Sequence, residues 1–249
     1  MAPDALTADV LADLAAATPD PEGGPGQWVY RKSAVVPVPD MAGRPAITER
    51  WATADGTVGA AYVDGQLEIG PWSWPVPPGR DAADPLLRRF AHPAGGTAGW
   101  RSPLELPAIG YGELSGLPAD PVALARLLAD TPVPRDDESW NAGHAFEIAA
   151  ELLESYLVPA SVTASLYRAI GQLPGVVVSP MAADAAGRHG PAFLLAGRPG
   201  GNQRISVSAA DGRFTGYQFL GDGIDLTEVA AWGVAILELA PVTGPGEYP

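Results

Sequence analysis

The chain has 249 residues, 29 acidic side chains against 15 basic ones, a formal charge of −14 and no cysteine. Its length supports a real core, burying roughly 70–75% of the unfolded surface. The acidity excludes a phosphate backbone as a partner and sets the chain against an anionic membrane surface, while the missing thiols exclude disulfides, thiolate metal sites and a cysteine nucleophile.

Residues 4–17 predict a short helix with Leu6, Val10, Leu11 and Leu14 on one stripe. No basic stretch precedes it and acidic residues interrupt it, so it is neither a signal peptide nor a membrane span. The stretch "TPDPEGGPG" follows as a linker. From Gln27 the grammar changes to strand, in "QWVYRKSAVV", "AITERWATA", "TVGAAYV" and "QLEIGPW". Asp-Gly pairs lie between the last three segments, and Gly supplies the positive φ of a tight hairpin turn. An antiparallel meander is the expected result.

Residues 75–118 are rich in proline and glycine, with one predicted helical turn from Pro85 to Phe90. So long a segment in a compact domain is typically functional or covers something. A helical middle follows. Asp120 as N-cap and Pro121 at the first helical position start one helix, striped with Val122, Leu124, Leu127 and Leu128. In the next, Phe146, Ala149, Leu153 and Tyr156 share a face beside Ile148 and Leu152, with Glu147, Glu151 and Glu154 on the polar side. A third helix opens after Pro159 and ends at Gly171 and Pro174. Strand returns in "GVVVSP", "PAFLLAG", "QRISVSA", "FTGYQFL" and "VAAWGVAILEL". Strands, helices, strands is the order of an α+β fold: a curved antiparallel sheet, like a half-open barrel, with helices on one side. Residues 1–26 read as an N-terminal helix and linker, 27–240 as one α+β domain and 241–249 as a tail.

No catalytic constellation emerges. His92, His144 and His189 lie far apart, none with a second histidine at metal-ligand spacing, and His144 lies at the start of a helix, where it could face solvent. Asp222, Asp225 and Glu228 are too sparse for a calcium loop, so Asp225 reads as a cap. Asp136 to Glu138 read as an acidic helix approach. Ser115 has no nucleophile elbow or base. Gly197, Gly200 and Gly201 lie between two strands without the Lys-Ser/Thr of a phosphate loop and read as a hairpin loop. The expectation is a chain that is not an enzyme, with no metal and no cofactor.

The tryptophans stand out. Trp28 and Tyr30 share a strand face, and Trp72 and Trp74 alternate beside prolines. Core packing explains such rings. So does an apolar pocket between sheet and helices, which needs large rings and a few polar atoms. Trp28, Tyr30, Trp72 and Trp74 are therefore the candidate ligand-binding residues.

The segments "SLYRAIGQLPGVVV", "DAAGRHGPAFLL", "QRISVSAADGRFTGYQF" and "GPGEYP", in that order, with "PGQWVYRKS" and "LPADPVALARLLAD" before them, carry a resemblance. Together they resemble an uncharacterised family of actinobacterial proteins, usually membrane-anchored and often encoded near extracytoplasmic-function sigma factors. In that family a cytoplasmic segment and one membrane helix precede such a domain. The resemblance implies an extracytoplasmic domain, tethered in the full-length protein, and supplies no catalytic residue. More loosely, the pattern is similar to the half-barrels of lipoprotein carriers and periplasmic sigma regulators. The expectation is a non-enzymatic binding or sensory domain for an apolar small molecule, lipid or peptide. The alternatives are a protein-interaction domain of a membrane regulatory complex without a small ligand, and an enzyme with an unrecognised site.

Overall fold

A computed structural model describes residues 6–19, 26–36, 46–55, 58–63, 66–71, 111–130, 141–154, 157–196, 202–220 and 232–249. Trp72, Trp74, His92, the turn at Pro85–Phe90, Asp136–Glu138, Gly197, Gly200, Gly201 and the acidic run at 222–228 lie outside them. So does most of the 18–26 linker.

Alternating sequence becomes strand where it was expected: β1 (Trp28–Val36), β2 (Ala46–Thr53), β3 (Val58–Val63), β4 (Gln66–Pro71), then β5 (Val176–Ala183), β6 (His189–Leu195), β7 (Asn202–Val207), β8 (Phe214–Leu220) and β9 (Trp232–Val242). They form one nine-stranded sheet in the order β4-β3-β2-β1-β9-β8-β7-β6-β5. Two antiparallel meanders are thus sewn together where the first strand meets the last, with Trp28 opposite Val242 and Tyr30 opposite Ala240. The sheet has two ends, β4 and β5, so it is not closed into a barrel.

It is nevertheless strongly curled. In a flat sheet the β5–β6 turn would stand about 14–19 Å from β9 and β1. Instead Ala185 of that turn packs with Ala34 of β1 and Ala235 of β9 in one small cluster. Alanine has no reach, so the backbone itself must bend across. Bulges at Lys32/Ser33, Ser179/Ala182 and Ser206/Val207 add the local twist this requires.

The helices are α1 (Ala8–Ala17), α2 (Tyr111–Ser115), α3 (Pro121–Asp130), α4 (Asn141–Leu153) and α5 (Ala160–Gly171). Asp120 caps α3 as expected, its Oδ2 accepting the Ala123 N–H at 3.0 Å. Phe146, Ile148, Leu152, Leu166 and Ile170 from the helices share the main core with Phe193, Leu195, Ile205, Val207 and Tyr217 from β6–β8. The alternate residues Ala192 and Leu194 fall in a separate cluster with Ala182. The helices therefore cover one face only. Leu11, Ala12 and Ala15 of α1 belong to the main core, and Arg168 on α5 holds Asp13 at 2.5 Å and Asp9 at 3.4 Å.

Several side chains differ from expectation. Val10 and Val122 are exposed, because each lies at the margin of its stripe and the smaller Ala12, Ala15 and Ala125 let the partner helix sit to one side. Glu154 does not face solvent: Arg31 of β1 donates from Nη1 to its carbonyl at 2.7 Å and pairs with its carboxylate at 3.6 Å. A cation at the last carbonyls of α4 also suits the helix dipole. His144 is turned inward, 3.8 Å from the Glu147 carboxylate. The short helix α2 was not expected; it docks through the Tyr111 N–H on the Ala54 carbonyl at 3.0 Å.

Candidate functional site

Alternation sorts β1 between two environments. Val29 shares a cluster with Leu157 beyond α4, and Arg31 reaches Glu154, so odd positions face the helices. Trp28 and Tyr30 face away from them. Tyr30 and Trp51 are fully buried there with Ala60, flanked by Trp28, Leu67 and Val242. Tyr248 closes the group, its ring 5.3 Å from that of Tyr30 and 5.6 Å from that of Trp51. The Trp51 indole N–H donates to the Glu247 carbonyl at 2.6 Å, and the Tyr248 hydroxyl to Glu49 at 3.3 Å. Tyr30 donates to the same carboxylate at 3.0 Å. Burial first, and then Glu49, push the Tyr30 phenol well above its ordinary value. Trp28 and Tyr30 do share a face, but it is the face away from the helices, so a pocket between sheet and helices is not built from them.

Such a pocket exists elsewhere. A cavity of about 510 Å³ opens between β9, the start of β8 and the helix layer. That is within the ~300–1,000 Å³ of small-molecule sites. Its apolar walls are Leu153, Leu157 and Val158 between α4 and α5, Phe214 of β8, and Ile236 and Leu239 of β9. The end of α1 closes one side with Ala15 and Thr18. Thr18 is fixed there by donating to the Asp211 carbonyl at 2.8 Å.

The cavity is the space inside a fork in the sheet. β8 pairs with β9 only from Trp232 to Ala235, whereas β1 pairs with β9 as far as Val242. Beyond Ala235 the two strands part. Arg188 sits in the crotch and donates from Nη2 to the Ile236 carbonyl at 2.8 Å and, more weakly, to the Thr215 carbonyl at 3.5 Å. Asp184, 3% exposed, anchors it. One Asp184 oxygen accepts the backbone N–H groups of Ala186 and Arg188, both at 2.9 Å, and the other accepts Arg188 Nε–H at 2.7 Å and forms an ion pair with Nη2 at 2.6 Å. Arg213 and Asp211, paired at 3.2 Å, stand on the rim.

On the sheet face away from the helices, Arg204 is completely buried and donates from Nε to Gln218 at 2.8 Å. Burial pushes its pKa down to about 10, opposed by the charge of Asp184. Among the described residues no three His, Asp or Glu side chains group as a metal site, and no histidine lines the cavity. No protein-family model, curated protein or solved structure matches the chain.

The lining residues were missed by reading the sequence for large rings. A usable signal was present: "VAAWGVAILEL" is much longer than the "FTGYQFL" before it. A strand that outruns its hairpin partner must leave an overhang.

Proposed function

We propose that this is a binding domain rather than an enzyme, and that its ligand presents an apolar surface to the cavity between β9 and the helices. The observation that carries this reading is the cavity itself: about 510 Å³, walled by Leu153, Leu157, Val158, Phe214, Ile236 and Leu239, with Arg188, Asp211, Arg213 and Glu238 as its charged lining. This is the composition of a site that recognises shape and apolar area. The family resemblance adds the setting, an extracytoplasmic domain tethered to the membrane in the full-length protein. Among the described residues no helix is long and apolar enough to cross a membrane.

The test is binding of the apolar dye bis-ANS to the purified chain, with native mass spectrometry and solvent extraction for any co-purified ligand. Ile236→Trp, which fills the cavity, should weaken dye binding about tenfold or more while the fold persists by circular dichroism. Equal binding by the filled variant would sink the cavity reading.

A second reading rests on a different surface. Ile47, Ile69 and Tyr248 are 54%, 55% and 54% exposed. The register Ala34–Ile47 and Ala60–Ile69 puts both isoleucines on the helix-free face of the first meander. That face would serve a protein partner in a membrane complex. Ile47→Lys with Ile69→Lys would abolish such an association and leave dye binding untouched.

A further inference from the structure

The cavity has one wall that apolar ligands cannot satisfy: the edge of a β-strand. Pro241 of β9 is paired with Val29 of β1. Proline has no N–H, so this must be a position whose polar groups point away from β1, toward the cavity side. The register is unbroken back to Leu239, opposite Arg31. Leu239 stands two residues from Pro241, so its N–H and C=O point the same way. The Ile236 carbonyl does so too, and Arg188 caps it. Among the described residues no strand pairs with β9 on that side beyond Ala235. The Leu239 N–H, the Leu239 carbonyl and the Pro241 carbonyl therefore form a short open edge, and both residues line the cavity.

We propose that this edge pairs with an extended peptide segment of a partner protein, which adds a short strand to β9 inside the fork. The proposal rests on the cavity reading above and names its ligand class. A hydrocarbon chain filling the same space would strip water from three backbone groups and give nothing back, and buried backbone groups are almost always paired. A peptide strand restores those bonds and sends alternate side chains toward the helices. Those side chains meet Leu157, Val158 and Phe214, so the segment should carry apolar residues at every second position. Near the capped end of the edge, the second amino group of Arg188, Nη1, has no partner among the described residues. It offers a charged donor to a peptide carbonyl or carboxylate. The α1 end and the Arg188 cap bound the edge, limiting it to a few residues and shielding it from indiscriminate sheet-to-sheet pairing.

The experiment selects peptides from a random dodecamer phage library on the full chain. The enriched sequences are then synthesised with single backbone N-methyl groups along their length. The expected result is apolar–polar alternation, a loss of about tenfold or more on methylation at alternate positions, and a shifted, protected Leu239 amide in the ¹⁵N spectrum of the complex. Leu239→Pro, which deletes the outward N–H, should abolish peptide binding. Should that variant not fold, the N-methyl scan on the wild-type chain decides alone. Peptides that tolerate methylation everywhere would overturn strand pairing. So would a chain that binds bis-ANS and co-purifies with an acyl lipid yet enriches no peptide; the cavity would then stand and the peptide would not. A chain that binds neither overturns both.

Discussion

Replacing Asp184 tests how the fork is held open. Its carboxylate is buried and accepts three hydrogen bonds, two from the turn backbone at 2.9 Å and one from Arg188 Nε at 2.7 Å, with Arg188 Nη2 paired to it at 2.6 Å. The two backbone bonds to a charged acceptor are worth about 1.5 kcal/mol each, giving about 3 kcal/mol. The ion pair adds little by itself, about 0–1 kcal/mol, because the Arg188 side chain is 44% exposed. Asp184 also offsets part of the cost of burying Arg204, so about 3 kcal/mol is a lower figure for Asp184→Ala. In a chain of this size that lowers Tm by ~6–12 °C. Asp184→Asn keeps an oxygen for the turn N–H groups and turns an amide toward the guanidinium, so about 1–2 kcal/mol is expected. Urea unfolding at pH 7 measures both. A loss below about 1 kcal/mol for the alanine variant, or an asparagine variant as unstable as the alanine one, would refute this division of labour.

Other consequences follow from single contacts. Gly212 has φ +69, and an added Cβ would lie 2.6 Å from the Ala15 nitrogen and 3.0 Å from the Leu11 carbonyl; Gly212→Ala should cost at least about 2 kcal/mol and make α1 the first site of limited proteolysis. Tyr30 and Tyr167 hold their protons above the ordinary pKa of 10.0, both chiefly by burial, Tyr30 further by Glu49 and Tyr167 by Asp211. Because the folded values exceed the unfolded ones, their contribution is complete below about pH 10 and lost as pH rises beyond it. Urea midpoints should fall from pH 10 to 11, and less steeply in Tyr167→Phe, whose hydroxyl has no partner to lose among the described residues. Trp51→Phe removes the bond to the Glu247 carbonyl at a cost of about 1 kcal/mol and should speed carboxypeptidase trimming of the chain end.

Much of this fold was legible because its elements are locally consistent. Asp-Gly pairs mark turns of the first meander and the β7–β8 turn, apolar runs such as "PAFLLAG" mark later strands, and Asp120 caps a helix, so the meanders and the α+β order follow from residues close in sequence. The site was not legible for the opposite reason. Trp28 and Tyr30 advertise themselves as large rings, but which face of β1 the helices cover depends on Leu157 and Glu154, over 120 residues away. Nothing local in the sequence marks Arg188; only the curl of the sheet carries it to Ile236. Glu154 sits in the polar register of α4, and nothing local says that Arg31 will meet it.

The fork itself has a sequence origin. β8 and β9 approach so closely that a Cβ on Gly216 would stand 2.3 Å from the Val234 carbonyl, and one on Gly233 2.8 Å from the Tyr217 carbonyl. These glycines face each other's strands at the ends of the short zipper, Gly216 opposite Ala235 and Gly233 next to Trp232. Just past it, β1 pairs Ser33 with Ile236 and Lys32 with Glu238, leaving Leu237 as an extra residue in β9. A bulge at that point turns the rest of the strand, so β9 follows β1 and parts from β8 where the glycine pinch ends. Arg188 then caps the Ile236 carbonyl in the crotch, and Pro241 removes a donor further out. The overhang is thus opened by two glycines and a bulge and limited by an arginine and a proline, leaving Leu239, among the described residues of the overhang, with both backbone groups on offer. Gly216→Val should therefore force the strands apart at the pinch, raise hydrogen exchange at Tyr217 and Val234, and leave the β1–β9 ladder protected. Equal loss of protection in both ladders would mean that β9 is held as one unit and that the pinch does not set the fork.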